Sequence, residues 1–152
     1  MIPAHIAEFV QGGVGIHVGT RNARFEPNGA RALAARVDDT GTLVTVFVST
    51  LALERILPDL ESNGQAAVSF GRPVDERACQ IKGVVVGVRP AEPSEQALVV
   101  RQWEGYLDQR RQIGIPREPM ARWTTWPASA VTLKATALFE QTPGVGTGEP
   151  IR

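Results

Sequence analysis

Six runs of strand-like residues, broken at uneven intervals by two or three helical stretches, constrain this chain more than any other feature. Residues 14–20 alternate, with Val14, Ile16 and Val18 pointing one way. Residues 30–37, 43–49, 66–70 and 78–88 are dense in valine, alanine and phenylalanine, and residues 129–139 alternate again through Val131, Leu133, Ala135, Ala137 and Phe139. Asn28-Gly29 and Asp38-Asp39-Thr40-Gly41 read as turns, and residues 71–76 as a loop. A parallel, doubly wound sheet would need regular strand–helix alternation, which is missing. The pattern predicts a mainly β protein with flanking helices, a six-stranded antiparallel barrel with helices on its outside or ends.

The helical stretches are unequal. Residues 2–10 are weakly helical through Ile6, Phe9 and Val10, with Gly12-Gly13 as the stop. Residues 51–61 carry Leu53, Ile56, Leu57 and Leu60 at helical spacing, with Pro58 expected to kink or shorten the helix and Ser62-Asn63-Gly64 ending it. The clearest helix opens at Pro93-Ser94, with Ser94 as N-cap, and its stripe of Val99 or Val100, Trp103, Tyr106 and Leu107 predicts a buried face. Residues 142–152, rich in Gly and Pro, are expected to form an extended or mobile tail.

Composition narrows the function classes. At 152 residues the chain can bury one core. Sixteen basic residues balance sixteen acidic ones, so no global field draws it to nucleic acid or an anionic membrane. Few aromatics lie on the strands, which argues against a barrel that stacks single-stranded nucleic acid. One cysteine, Cys79, excludes an internal disulfide and fits a reducing, cytoplasmic setting. No apolar run reaches membrane-spanning length. His5 and His17 gather no carboxylates or thiol in sequence, so no metal site is expected. No nucleophile–base motif is visible, and residues 144–148 lack the strand, helix and lysine of a phosphate loop.

Arg31 and Arg36 bracket the small apolar run Ala32-Leu33-Ala34-Ala35. Guanidinium forks bordering a strand with small neighbours suit a pocket for a phosphate-like anion. Five residues is an odd step, however, so a regular strand turns the two arginines to opposite faces unless a bulge intervenes.

The order and spacing of Arg31-Ala32-Leu33-Ala34-Ala35-Arg36, Val46-Phe47-Val48-Ser49-Thr50, Ala67-Val68-Ser69-Phe70 and Cys79-Gln80-Ile81-Lys82-Gly83 resemble the pyridoxamine 5'-phosphate oxidase-like family, the FMN-binding split barrels. The likeness covers most of the chain and implies a split β-barrel over residues 1–141, followed by the tail. It further implies a homodimer that binds FMN, or a related deazaflavin, and passes electrons between a reduced nicotinamide or small-molecule substrate and an acceptor. The candidate cofactor contacts carried by the resemblance are Arg31, Arg36, Phe47, Val48, Ser49, Arg55 and Gln80, with Trp126 either stacking on the ring or simply packing. No catalytic acid or base is named.

Two departures qualify the likeness. Where the oxidase has an arginine–lysine pair gripping phosphate, this chain reads Leu53-Glu54-Arg55-Ile56. A carboxylate about 4 Å from a phosphate charge repels it by about 4 kcal/mol at an effective dielectric near 20, so Glu54 has to point away. The oxidase's C-terminal arginine–histidine segment has no counterpart, so pyridoxamine 5'-phosphate oxidase activity itself is not expected. A non-catalytic barrel binding flavin, haem or another planar ligand is the alternative.

Overall fold

A computed structural model describes residues 1–118 and 120–152. Its centre is a closed antiparallel barrel of β1 (Gly15–Arg21), β2 (Pro27–Val37), β3 (Leu43–Ser49), β4 (Gln65–Gly71), β5 (Ala78–Pro90) and β6 (Ala128–Glu140), in the order β1-β2-β3-β6-β5-β4. Closure gives every strand a neighbour on both sides, although β2 beyond Ala32 and β5 beyond Val84 are strand-paired on one edge only. Helices α1 (Ala4–Val10), α2 (Thr50–Asn63) and α3 (Gln96–Gln112) complete the fold.

Two apolar layers hold it together. Inside the barrel, Ile16, Val18, Ala32, Ala35, Val44, Val46, Val48, Val68, Ile81 and Leu133 pack with Ile6, Phe9 and Val10 of α1 and Ile56 and Leu60 of α2. Outside it, Leu33, Ala34, Phe47 and Ala130 pack under Val99, Trp103, Tyr106 and Leu107 of α3. The α3 stripe therefore buries as its spacing predicts. β3 lies between the two layers, which explains its continuous apolar run.

Several local expectations are corrected. Asn28-Gly29 is not a turn but part of β2. The β1–β2 turn lies earlier, where the Asn22 side-chain carbonyl accepts from the backbone N–H groups of Arg24 and Glu26 at 2.9 and 3.1 Å. Pro58 does not shorten α2, which runs through it for 14 residues and ends on Gly64 at φ 65°. Ser94 does not cap α3. A single 3-10 turn, Pro93–Glu95, leads into the helix, and the Glu95 carboxylate accepts from the Glu92 N–H at 2.8 Å. The Gly- and Pro-rich C-terminal segment folds back: Pro150 bridges Phe139, and Ile151 donates to the Leu138 carbonyl at 2.9 Å while packing against the core. Among the described residues, no helix is long and apolar enough to cross a membrane.

Candidate functional site

The odd step between Arg31 and Arg36 is resolved by a bulge. The β2–β3 register shifts between Ala32 and Ala34, so Ala32 and Ala35 face the barrel interior while Leu33 and Ala34 face α3. The extra residue restores parity, and both arginines emerge on the outer face. They do not meet there. Arg36 bonds Glu95 at 2.8 Å, and Glu95, 5% exposed, also takes two bonds from Arg89, each 2.8 Å. Those bonds, the Arg89 contact foremost, hold the Glu95 carboxyl down to about 2.

Arg31 belongs to a different neighbourhood. Strand register sets Arg31 of β2 opposite His17 of β1, His17 opposite Ser69 of β4, and Ser69 opposite Gln80 of β5. One polar row thus crosses four strands. Arg31 Nη2 lies 2.9 Å from His17 Nε2, and Gln80 Nε2 donates to Ser69 Oγ at 3.0 Å. In the next row Gly29, Gly19 and Ala67 stand side by side, followed by Lys82. With almost no side chains, those three positions form a flat shelf beside the polar row.

Row and shelf line a groove of about 430 Å³, with Arg55 of α2 closing one side. Asn28 secures Arg55: its amide donates to the Arg55 carbonyl at 2.8 Å, and Arg55 Nε donates back to its side-chain carbonyl at 3.1 Å. Among the described residues lining this groove there is no carboxylate, and Glu54 is absent from it and exposed. A second groove of about 430 Å³ shares His17 and Ser69 with the first and continues toward Arg72, Glu76 and Tyr106.

The electrostatics of the groove centre on Arg31. Its Cζ lies 5.1 Å from the Tyr106 ring and 5.9 Å from the Trp123 ring, and Trp123 itself stacks on buried Trp103 at 5.9 Å. Among the described residues, Arg31 Nη1 is buried without a hydrogen-bond partner. A buried guanidinium N–H left unpaired costs free energy that an anionic acceptor would recover. Arginine has no lone pair to offer, so His17 Nε2 must be the acceptor and the imidazole is neutral, with its proton on Nδ1. Burial first, and the Arg31 charge second, push the His17 pKa below its ordinary value.

Of the eight cofactor candidates, the fold brings Arg31, Arg55 and Gln80 to this groove. The others lie elsewhere in the chain. Phe47 is fully buried beneath α3, and Val48 is fully buried inside the barrel. Ser49 caps α2, accepting from the Ala52 N–H at 3.2 Å. Trp126 is partly buried beside the outer cluster, and Arg36 is held by Glu95. His17 and Ser69 were not singled out by sequence reasoning. Period-two alternation places both on outward positions, but only the register sets them beside Arg31 and Gln80. Cys79 faces the core, with its thiol pushed up to about 12 chiefly by burial. Among the described residues, no cluster of His, Cys, Asp or Glu could hold a metal ion.

No protein-family model and no curated protein sequence matches the chain. Solved structures do match in fold. One is a candidate pyridoxamine 5'-phosphate oxidase from Lactobacillus delbrueckii, 10% identical, with TM-score 0.57 over 91% of this chain and 93% of the other. An F420 reductase is 15% identical, with TM-score 0.53 over 90% and 98%. An FMN-binding protein from Syntrophomonas wolfei is 7% identical, with TM-score 0.50 over 89% and 85%. The architecture is therefore a split β-barrel, the fold these structures share, as the motif order suggests.

Proposed function

We propose that this split barrel binds a phosphorylated flavin, FMN or a close analogue, in the groove over β1, β2, β4 and β5, and serves as a flavin-dependent oxidoreductase. The observation that carries the reading is Arg31, whose Nη1 is buried without a partner among the described residues, beside a flat shelf of Gly19, Gly29 and Ala67. The residues fit the ligand. Arg31 and Arg55 offer two guanidinium groups with no carboxylate lining the groove among its described residues. The shelf admits a planar ring, and the Gln80–Ser69 pair offers hydrogen bonds to a polar ring edge.

A bound flavin would supply the hydride and electron chemistry. The chain's own contribution is charge, orientation and shielding. Arg31 and Arg55 neutralise the phosphate. Tyr106 and Trp123 hold the Arg31 guanidinium from outside the sheet, and the segment carrying Trp123 is tied to α3 by Arg117, which pairs with Asp108 at 2.8 Å and with Glu104. Two copies of the chain complete the site in this reading. Val84, Val86 and Val88 present an exposed apolar edge along β5 suited to such a dimer, 37%, 57% and 38% exposed.

The test is reconstitution. Purified protein titrated with FMN should quench flavin fluorescence with saturation, and the bound flavin should bleach with a reduced nicotinamide. Failure to bind FMN or F420 at micromolar concentration removes the proposal. Binding without reduction by any nicotinamide favours a flavin carrier over an oxidoreductase.

A further inference from the structure

The central position of His17 in the polar row has consequences for how an anion binds. The imidazole is flanked by Arg31 on β2 and Ser69 on β4, with Gln80 of β5 beyond. Across the two adjoining grooves it shares space with Arg55 of α2, Tyr106 of α3, and Arg72 and Glu76 of the loop after β4. Arg72 is already held by Asp75 at 2.9 and 2.5 Å. Cations thus outnumber carboxylates around a neutral histidine that occupies one tine of the Arg31 fork. The other tine, Nη1, has no partner among the described residues.

We propose that His17 is itself an anion-binding residue of this groove, taking up a proton from solvent when a phosphate docks on Arg31. Protonation removes the Nε2 lone pair that accepts from Arg31. Both Nη groups are then free to fork onto the phosphate, and the imidazolium adds an N–H donor of its own. The charge balance favours this order. Without the anion, burial disfavours the charged imidazole, and the positive charge of Arg31 directly opposite acts in the same direction. A phosphate dianion reverses the sign of the local field. Binding and protonation are therefore linked, and affinity rises as pH falls, by up to about tenfold per pH unit for one proton. The inference rests on the reading of the groove as a phosphate-bearing flavin site.

Isothermal titration of FMN into the full chain, in buffers of different ionisation enthalpy between pH 6.5 and 8.5, tests it. This range lies above the second ionisation of a phosphate monoester, near 6. Wild-type protein should take up a measurable fraction of one proton per FMN bound, and affinity should rise as pH falls with a slope equal to that fraction, up to about tenfold per unit where a whole proton is taken up. His17→Gln should bind FMN without proton uptake and with a flat pH profile. Riboflavin, which lacks the phosphate, should bind without proton uptake even to the wild type. If His17→Gln does not fold, nitrogen NMR of the wild-type imidazole serves instead, with protonation of Nε2 on FMN addition the expected result. FMN binding with no proton uptake, or the same pH slope in His17→Gln, overturns the role of His17 and leaves the groove reading standing. Equal proton uptake with riboflavin also overturns it. No FMN binding at any pH removes the groove reading, and the role of His17 with it.

Discussion

Gln102 of α3 and Ala35 of β2 exchange two hydrogen bonds: the Ala35 N–H donates to Gln102 Oε1 at 2.9 Å, and Gln102 Nε2 donates to the Ala35 carbonyl at 2.8 Å. β1 pairs with β2 only as far as Ala32, so beyond the bulge that edge of β2 has no strand to bond. The buried amide takes the place of the missing strand and docks α3 onto the segment that carries Arg31. Gln102→Leu would leave two buried backbone groups unpaired. It should cost about 1–3 kcal/mol, read as a fall in the urea midpoint.

Arg31 and Arg36 should separate cleanly on mutation. Arg31→Gln removes a charge-assisted contact worth about 1.5–3 kcal/mol and should weaken FMN binding by about 10- to 100-fold in a fluorescence titration. Arg36→Gln should leave FMN affinity within about twofold, because that side chain is engaged with Glu95 away from the groove. Equal losses in both variants would contradict the two-neighbourhood arrangement.

Glu95 sets an acid limit. Its folded-state pKa is held down at about 2 by Arg89, the Glu92 N–H and Arg36, against an ordinary value of 4.5. The stability it contributes is fully present above pH 4.5 and is lost as pH falls from there toward 2. Thermal melts across this range should show a decline that Glu95→Gln, already destabilised at pH 7, follows less steeply.

Gly13 and Gly105 mark where the chain entering β1 crosses α3. A Cβ on Gly13 would stand 2.6 Å from the Gly105 carbonyl carbon and 2.7 Å from its oxygen, so backbone must move to admit it. Gly13→Ala should destabilise by about 1–3 kcal/mol, visible as a lowered melting temperature.

Cys79 should behave as an inert core residue. With its thiol buried and pushed up to about 12, reaction with a disulfide reagent at pH 8 should be slow in native protein and fast once denatured. Rapid native labelling would show that β5 opens.

Much of the barrel was legible along the chain. β3 matches its expected bounds, 43–49, because a run of Leu, Val and Phe between turn residues leaves little else for the backbone to do. The α3 stripe was legible for the same reason, since helical periodicity is written locally. Turn placement was less so: Asn28-Gly29 carries a strong turn signal, yet the Asn22 side chain closes the hairpin six residues earlier and β2 runs through it.

The site divides along the same line. Local sequence determined that Arg31 and Gln80 are polar groups set among small or apolar neighbours on strands, because side-chain chemistry and strand parity need only near neighbours. The tertiary structure decided which arginine faces the groove, through a bulge that parity cannot foresee and a Glu95 partner 59 residues away from Arg36. It also decided that His17 stands between Arg31 and Ser69, because strand register is set by closure of the whole sheet. Distances along a chain carry no information about which strands will lie side by side once its apolar faces are buried.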